Sequence, residues 1–165
     1  MAEFRTKVDI SARKLTAGWP KVGYDGENDS VREFYSKFSG KTKDRTSFFA
    51  SKRLADIFIF AMALGKKEGI RKPYEKKSYR RETIDFEYIA HQPEYLWMMI
   101  AIAIEESDGD LAIFQNPQTQ IIDICEEYAN YGIELLIELE SKSSASDPYV
   151  GYEEKFEKLL DDSNY

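Results

Sequence analysis

Sixteen residues in the middle of the chain, 66–81, concentrate the side chains best suited to bind something. They include Lys66, Lys67, Arg71, Lys72, Lys76, Lys77, Arg80 and Arg81, with Tyr74 and Tyr79 interleaved. A guanidinium offers paired N–H donors that match a phosphate, a lysine acts as a point charge, and a tyrosine ring gives an exposed base a face to stack on. These ten residues are the candidate nucleic-acid-binding or partner-binding set. The same charges suit a carboxylate-rich protein surface equally well, including the chain's own.

Elsewhere, residues able to do chemistry stand alone. His91 is the only histidine and Cys125 the only cysteine, which removes multi-histidine metal sites and internal disulfides. Cys125 falls on the apolar face of a helical pattern, where a thiol is inert. Glu105, Glu106, Asp108 and Asp110 gather around Gly109. A calcium loop, however, needs oxygen ligands at alternating positions and a glutamate at its twelfth, and Leu111, Ile113 and Pro117 break that ladder. No phosphate-cradling glycine pattern and no nucleophile elbow occurs. The expectation is a protein without catalytic residues, cofactor or metal; an enzyme using His91 with a nearby carboxylate is the reading with least support.

These candidates sit in a chain of sharply divided charge. Residues 1–82 hold 20 Lys/Arg and 11 Asp/Glu, net +9, whereas residues 83–165 hold 3 and 19, net -16, which together give -7. Such asymmetry points either to a basic half that meets nucleic acid or to two halves that meet each other. At 165 residues, 42% hydrophobic and 14% aromatic, the chain is long and apolar enough for one packed core. No secretory pattern opens it, and its longest apolar run, residues 95–104, is half what a bilayer span requires. A cytoplasmic protein without a membrane partner is expected.

The elements that must position these residues read as helices. Residues 1–28 are expected to be an irregular arm with a short strand near 7–10. Asp29 or Ser30 then caps a helix with Val31, Phe34, Tyr35 and Phe38 at helical spacing, stopped by Gly40. After a lysine-rich connector at 41–45, Leu54, Ile57, Phe58, Ala61, Met62 and Leu64 repeat every 3.6 residues from Ser51 to a stop at Gly65. The basic residues follow in a stretch broken by Gly69 and Pro73, read as mainly loop. Thr83 caps a short helix through Phe86 and Ile89. Pro93 opens a helix whose run from Leu96 to Ile104 is apolar on every side and therefore expected at the centre of the core. Leu111 to Phe114 is a short strand or a lead-in. Asn116 and Pro117 start the longest helix, with Ile121, Ile122, Cys125, Tyr128, Ala129, Gly132, Leu135, Leu136 and Leu139 on one side. Asp123, Glu126, Glu127, Glu134 and Glu138 are assigned to the other. Residues 29–140 thus form a helical domain, and 141–165 a linker followed by an amphipathic helix or tail around Phe156, Leu159 and Leu160. The fold class is all-α, a single compact domain of five or six helices.

The order of these features is familiar. Phe48-Phe49, Asp56 through Ala61, Leu64-Gly65 and Gly69-Ile70-Arg71, followed by Ile104-Glu105 and by Glu126 through Leu136, resemble the small proteins encoded beside DNA phosphorothioation (Dnd) genes. The resemblance covers residues 43–140, with Tyr131 where that family often has glycine. It implies a prokaryotic defence setting based on sulfur-modified DNA and brings no catalytic residues with it. The resulting expectation is a non-enzymatic accessory protein that binds DNA or a defence-system protein through the basic stretch. The alternative is an adaptor or homo-oligomer that pairs basic and acidic halves without nucleic acid.

Overall fold

The computed structural model describes residues 14–38, 47–50, 52–115, 117–143, 147 and 149–161. The expected strand at 7–10, the stop at Gly40, the connector at 41–45, the start at Ser51 and the cap at Asn116 lie outside them, as do the side chains of Phe156, Leu159 and Leu160. Among the described residues are six α-helices: α1 (Asp29–Phe38), α2 (Leu54–Glu68), α3 (Phe86–Ala90), α4 (Pro93–Glu106), α5 (Pro117–Lys142) and α6 (Val150–Asp161). Short 3-10 turns at Lys77–Tyr79 and Leu111–Gln115 and a two-stranded antiparallel sheet complete the fold, which is mainly helical as the periodicity indicates.

Local chemistry accounts for most of the boundaries. Asp29 sits in the first turn of α1, and Val31, Phe34, Tyr35 and Phe38 are buried at spacings of three and four. The start of α2 is held by Asp56, which accepts from the Arg53 backbone N–H at 2.8 Å and from the Arg53 guanidinium at 3.0 and 3.2 Å. Its end is Gly69, at φ +70°, whose N–H reaches the Lys66 carbonyl while that of Ile70 reaches Gly65. The helix therefore runs through Gly65 rather than stopping there.

Gly65 has another role. A Cβ at this position would lie 2.0 Å from the Tyr128 carbonyl oxygen, and one at Gly132 would lie 1.7 Å from that of Ala61. Helices α2 and α5 cross with a glycine of each against the backbone of the other, and theirs is the most extensive contact between elements. This pair is the centre of the core, a position the apolar run had assigned to α4. Helix α4 instead packs on the outside of α5. Leu96, Met99, Ile100, Ile102 and Ala103 are buried while Trp97 and Met98 stay 53% and 39% exposed. An apolar run without periodicity does not reveal that one face is left uncovered.

Two further findings concern the ends of the chain, a difference at the first and a choice between two expected alternatives at the second. Residues Val22–Asp25, read as irregular arm, form strand β1, which pairs antiparallel with β2 (Arg80–Ile84) in the register Val22↔Ile84 and Tyr24↔Arg81. Asp85 rather than Thr83 then precedes α3. Helix α6 is docked: Tyr152 is buried, its ring stacks on Phe48 at 4.7 Å and its hydroxyl donates to Glu140 at 2.6 Å. Phe48 and Tyr152 extend an aromatic cluster with Phe34, Phe38 and Phe49, each ring meeting the next edge-on or stacked. Among the described residues no helix is long and apolar enough to cross a membrane.

Candidate functional site

The basic stretch leaves α2 at Gly69 and runs back along α5. Its backbone is tied to that helix, because the Lys72 N–H donates to the Glu127 carbonyl at 2.9 Å and the Asn130 side-chain amide donates to the Lys72 carbonyl at 3.1 Å. Only its middle is loop; Lys77–Tyr79 is a 3-10 turn and Arg80–Ile84 is strand β2. A β-strand sends successive side chains to opposite faces, so Arg80 and Arg81 part company. Arg80 enters the molecule and Arg81 stays exposed.

Arg80 enters toward Glu126, whose side chain is 0% exposed. The guanidinium grips the carboxylate with two hydrogen bonds, Nε to Oε2 at 2.8 Å and Nη2 to Oε1 at 2.7 Å. The Tyr74 hydroxyl donates to Oε2 at 3.1 Å and the Gly23 N–H of β1 to Oε1 at 2.7 Å. Arg80 also donates to the Lys21 carbonyl and to Glu82, each at 2.7 Å. Burial pushes the Glu126 carboxyl above its usual range, against the opposing pull of Arg80, Gly23 and Tyr74. The Glu126 bonds in turn hold the Arg80 guanidinium even more firmly protonated. A buried charge pair is tolerated when its lone pairs and protons find partners in this way. One carboxylate thus gathers β1, the basic stretch and β2 onto α5.

A second group lies nearer the surface. Lys66 reaches Glu106 at 2.7 Å and Glu105 at 3.1 Å, and Arg71 donates to Glu127 at 2.7 Å and Glu106 at 3.4 Å. Lys72 is paired with Glu134. Lys66 and Arg71 both stand over the Tyr128 ring, 5.4 and 6.0 Å from its centre. Lys66 holds the Glu106 carboxyl below its ordinary value, and Glu106 raises the Lys66 ammonium in return.

Of the ten candidate residues, the structure thus brings Lys66, Arg71, Lys72, Tyr74 and Arg80 onto carboxylates of α4 and α5. Lys67, Lys77 and Arg81 are exposed and make no ion pair among the described residues, and Lys76 lies over the Tyr79 ring at 5.5 Å. An open cleft of about 500 Å³ is lined by Lys77 and Arg80 but also by Glu82, Asp123 and Glu127. A phosphate seated there would face more carboxylates than cations.

The sequence offered the chain's own carboxylates as partners but did not mark the buried one, because Glu126 was assigned to the polar side of its helix. A signal existed: Ile122, Ala129 and Ile133 are buried, and Glu126 falls between them at helical spacing, a carboxylate inside an apolar stripe. Such a residue needs a cation beside it, and the densest supply of cations in this sequence is the basic stretch. Cys125 is fully buried, its thiol donates to the Met99 carbonyl at 3.6 Å, and burial pushes that thiol up. The carboxylates around Gly109 also have local roles. Glu105 and Glu106 meet Lys66, and Asp110 accepts the Ala112 N–H at 2.9 Å. Among the described residues no group of three or more His, Cys, Asp or Glu is arranged to hold a metal ion.

The chain belongs to the family described as DNA sulphur modification system-associated protein 4, which matches residues 31–151. The match includes all ten basic-stretch candidates, Glu106, Glu126, Glu127, Glu134 and both crossing glycines; β1 lies outside it. Membership points to an accessory protein of a DNA sulphur modification system. No curated protein and no solved structure matches the chain.

Proposed function

We propose that this member of the DNA sulphur modification system-associated protein 4 family is a non-catalytic accessory protein that binds another protein of its system, in a setting of prokaryotic defence. The carrying observation is that Lys66, Arg71, Lys72 and Arg80 lie on carboxylates of their own chain. Offering Arg80 to a DNA backbone would leave Glu126 buried without its cation, a change that costs ~3–5 kcal/mol. The net charge of -7 adds long-range repulsion from DNA. The basic stretch on this reading closes the fold, and recognition falls to other surfaces.

A second reading keeps DNA, and one observation favours it: Lys67, Lys76, Lys77 and Arg81 are exposed and make no ion pair among the described residues. One experiment separates the two. The chain is co-expressed with the proteins encoded beside it, and the complex is sized by light scattering. The pure chain is then titrated with fluorescent duplex and single-stranded DNA at two salt concentrations. A stable protein complex without salt-sensitive DNA binding is expected. DNA binding that weakens steeply with salt and disappears in Lys76→Glu/Lys77→Glu/Arg81→Glu establishes the second reading instead. A salt-sensitive dimer of the pure chain would favour pairing between copies.

A further inference from the structure

Among the described residues, one side of helix α4 is exposed. Its exposed residues are Glu94, Trp97, Met98, Ala101 and Glu105, spaced by three or four, so they share one face about 17 Å long. Two of them are large and apolar. The elements packed on either end of α4 add more of the same: Tyr88 on α3 is 54% exposed, and Leu111 and Phe114 on the second 3-10 turn are 64% and 42% exposed. Scattered exposed apolar residues are ordinary, whereas a helix face that carries them at its centre marks an interaction surface.

Charge says what covers it. Residues 82–141 contain no lysine or arginine at all. Some acids of this region already have cations: Asp85 pairs with Lys21, Glu82 with Arg80, and Glu105 and Glu106 with Lys66. Glu87, Glu94, Asp108 and Asp110 have none among the described residues. Glu94 lies on the bare face, Glu87 is exposed on the short helix that leads into it, and Asp108 and Asp110 are exposed just after its last turn. An apolar strip rimmed by unpaired carboxylates repels DNA and acidic proteins, and it complements an apolar ridge bordered by lysine or arginine.

Resting on the protein-binding reading above, we infer that the α4 face centred on Trp97 and Met98 is the docking surface for a basic amphipathic helix of a protein partner. The apolar side of that helix covers Trp97, Met98 and Ala101, and its flanking cations meet Glu87 and Glu94. Affinity comes from the covered apolar residues, while the carboxylates set orientation and the rate of encounter.

Two measurements test this. In the first, Met98→Asp/Ala101→Asp and Glu87→Lys/Glu94→Lys are each co-expressed with the neighbouring-gene proteins; both change exposed residues, and circular dichroism checks that they fold. Loss of the complex in both is expected. Survival of the complex in both overturns the surface and leaves the protein-binding reading standing; absence of any complex with the unaltered chain overturns that reading. In the second, a synthetic helical peptide of about 18 residues, leucine on one side and lysine and arginine on the other, is titrated against the chain while Trp97 emission is followed. At least ten-fold weaker binding to each variant, and to the chain by a peptide with glutamate in place of its cations, is expected. Equal binding by both peptides, or by all three proteins, overturns the inference. A dimer of the unaltered chain that Met98→Asp/Ala101→Asp abolishes overturns it in favour of a second copy.

Discussion

Helix α5 is held on two sides by opposite means. Toward α2 it presents Gly132 and receives Gly65, so the two backbones touch where side chains are absent. Toward the basic stretch it presents Glu126, Glu127 and Glu134, and long charged side chains bridge the gap. The first contact depends on shape and is indifferent to ions; the second depends on charge, most strongly where it is buried. The lesson is that the segment most suggestive of nucleic-acid binding is in large part a structural counterion for the acidic half of the same molecule.

The contrast is open to attack from either side. The largest effect is expected at the buried carboxylate: Glu126→Ala removes the acceptor that Arg80, Tyr74 and the Gly23 N–H share and should cost ~3–5 kcal/mol in urea unfolding. Gly132→Ala comes next, at the upper end of ~1–3 kcal/mol, because its methyl group would overlap the Ala61 carbonyl and force the helices apart. That loss should be the same in 50 mM and 1 M salt, and a salt-dependent loss would break the distinction drawn here. Arg71→Gln removes half-exposed pairs and should cost only ~0.2–1 kcal/mol at low salt, with nothing measurable at 1 M.

The smallest effect is one of pH, and it separates rim from centre by sign. The folded value of Glu106 is depressed, so its contribution is complete above the ordinary value of 4.5 and is lost as pH falls through the folded one. Lys66 mirrors it, contributing fully below its ordinary 10.5 and losing that contribution as pH rises through its raised folded value. Glu126 works the other way, since a raised carboxyl takes up a proton in the folded state and lowers stability as pH climbs from 4.5 through its folded value. Glu106→Gln should therefore flatten the loss of stability in acid, measured as melting temperature from pH 3 to pH 6, roughly the carboxylate range. An unchanged acid slope would show that the rim pairs contribute nothing.

Periodicity was enough to find α1, α2, α4 and α5, because apolar residues at spacings of three and four leave a helix few alternatives. Proline at the first position of α4 marked its start. Gly65 misled because a glycine ends a helix and opens a close crossing with the same letter, and only the Tyr128 carbonyl opposite it tells which. Strand β2 was hidden because its partner, Val22–Asp25, lies more than fifty residues away and has no pattern of its own. The candidate site was legible in half: the cations stood out as a cluster in sequence, whereas their carboxylates come from two helices and from positions up to 62 residues distant.

By itself the sequence determined a mainly helical chain with separated charges, since composition and the 3.6-residue repeat are local properties. The tertiary structure alone decided which helices form the centre, which face of α4 stays exposed and which cations of the basic stretch meet carboxylates among the described residues. Those outcomes depend on what lies opposite each residue, and a one-dimensional pattern carries no information on that.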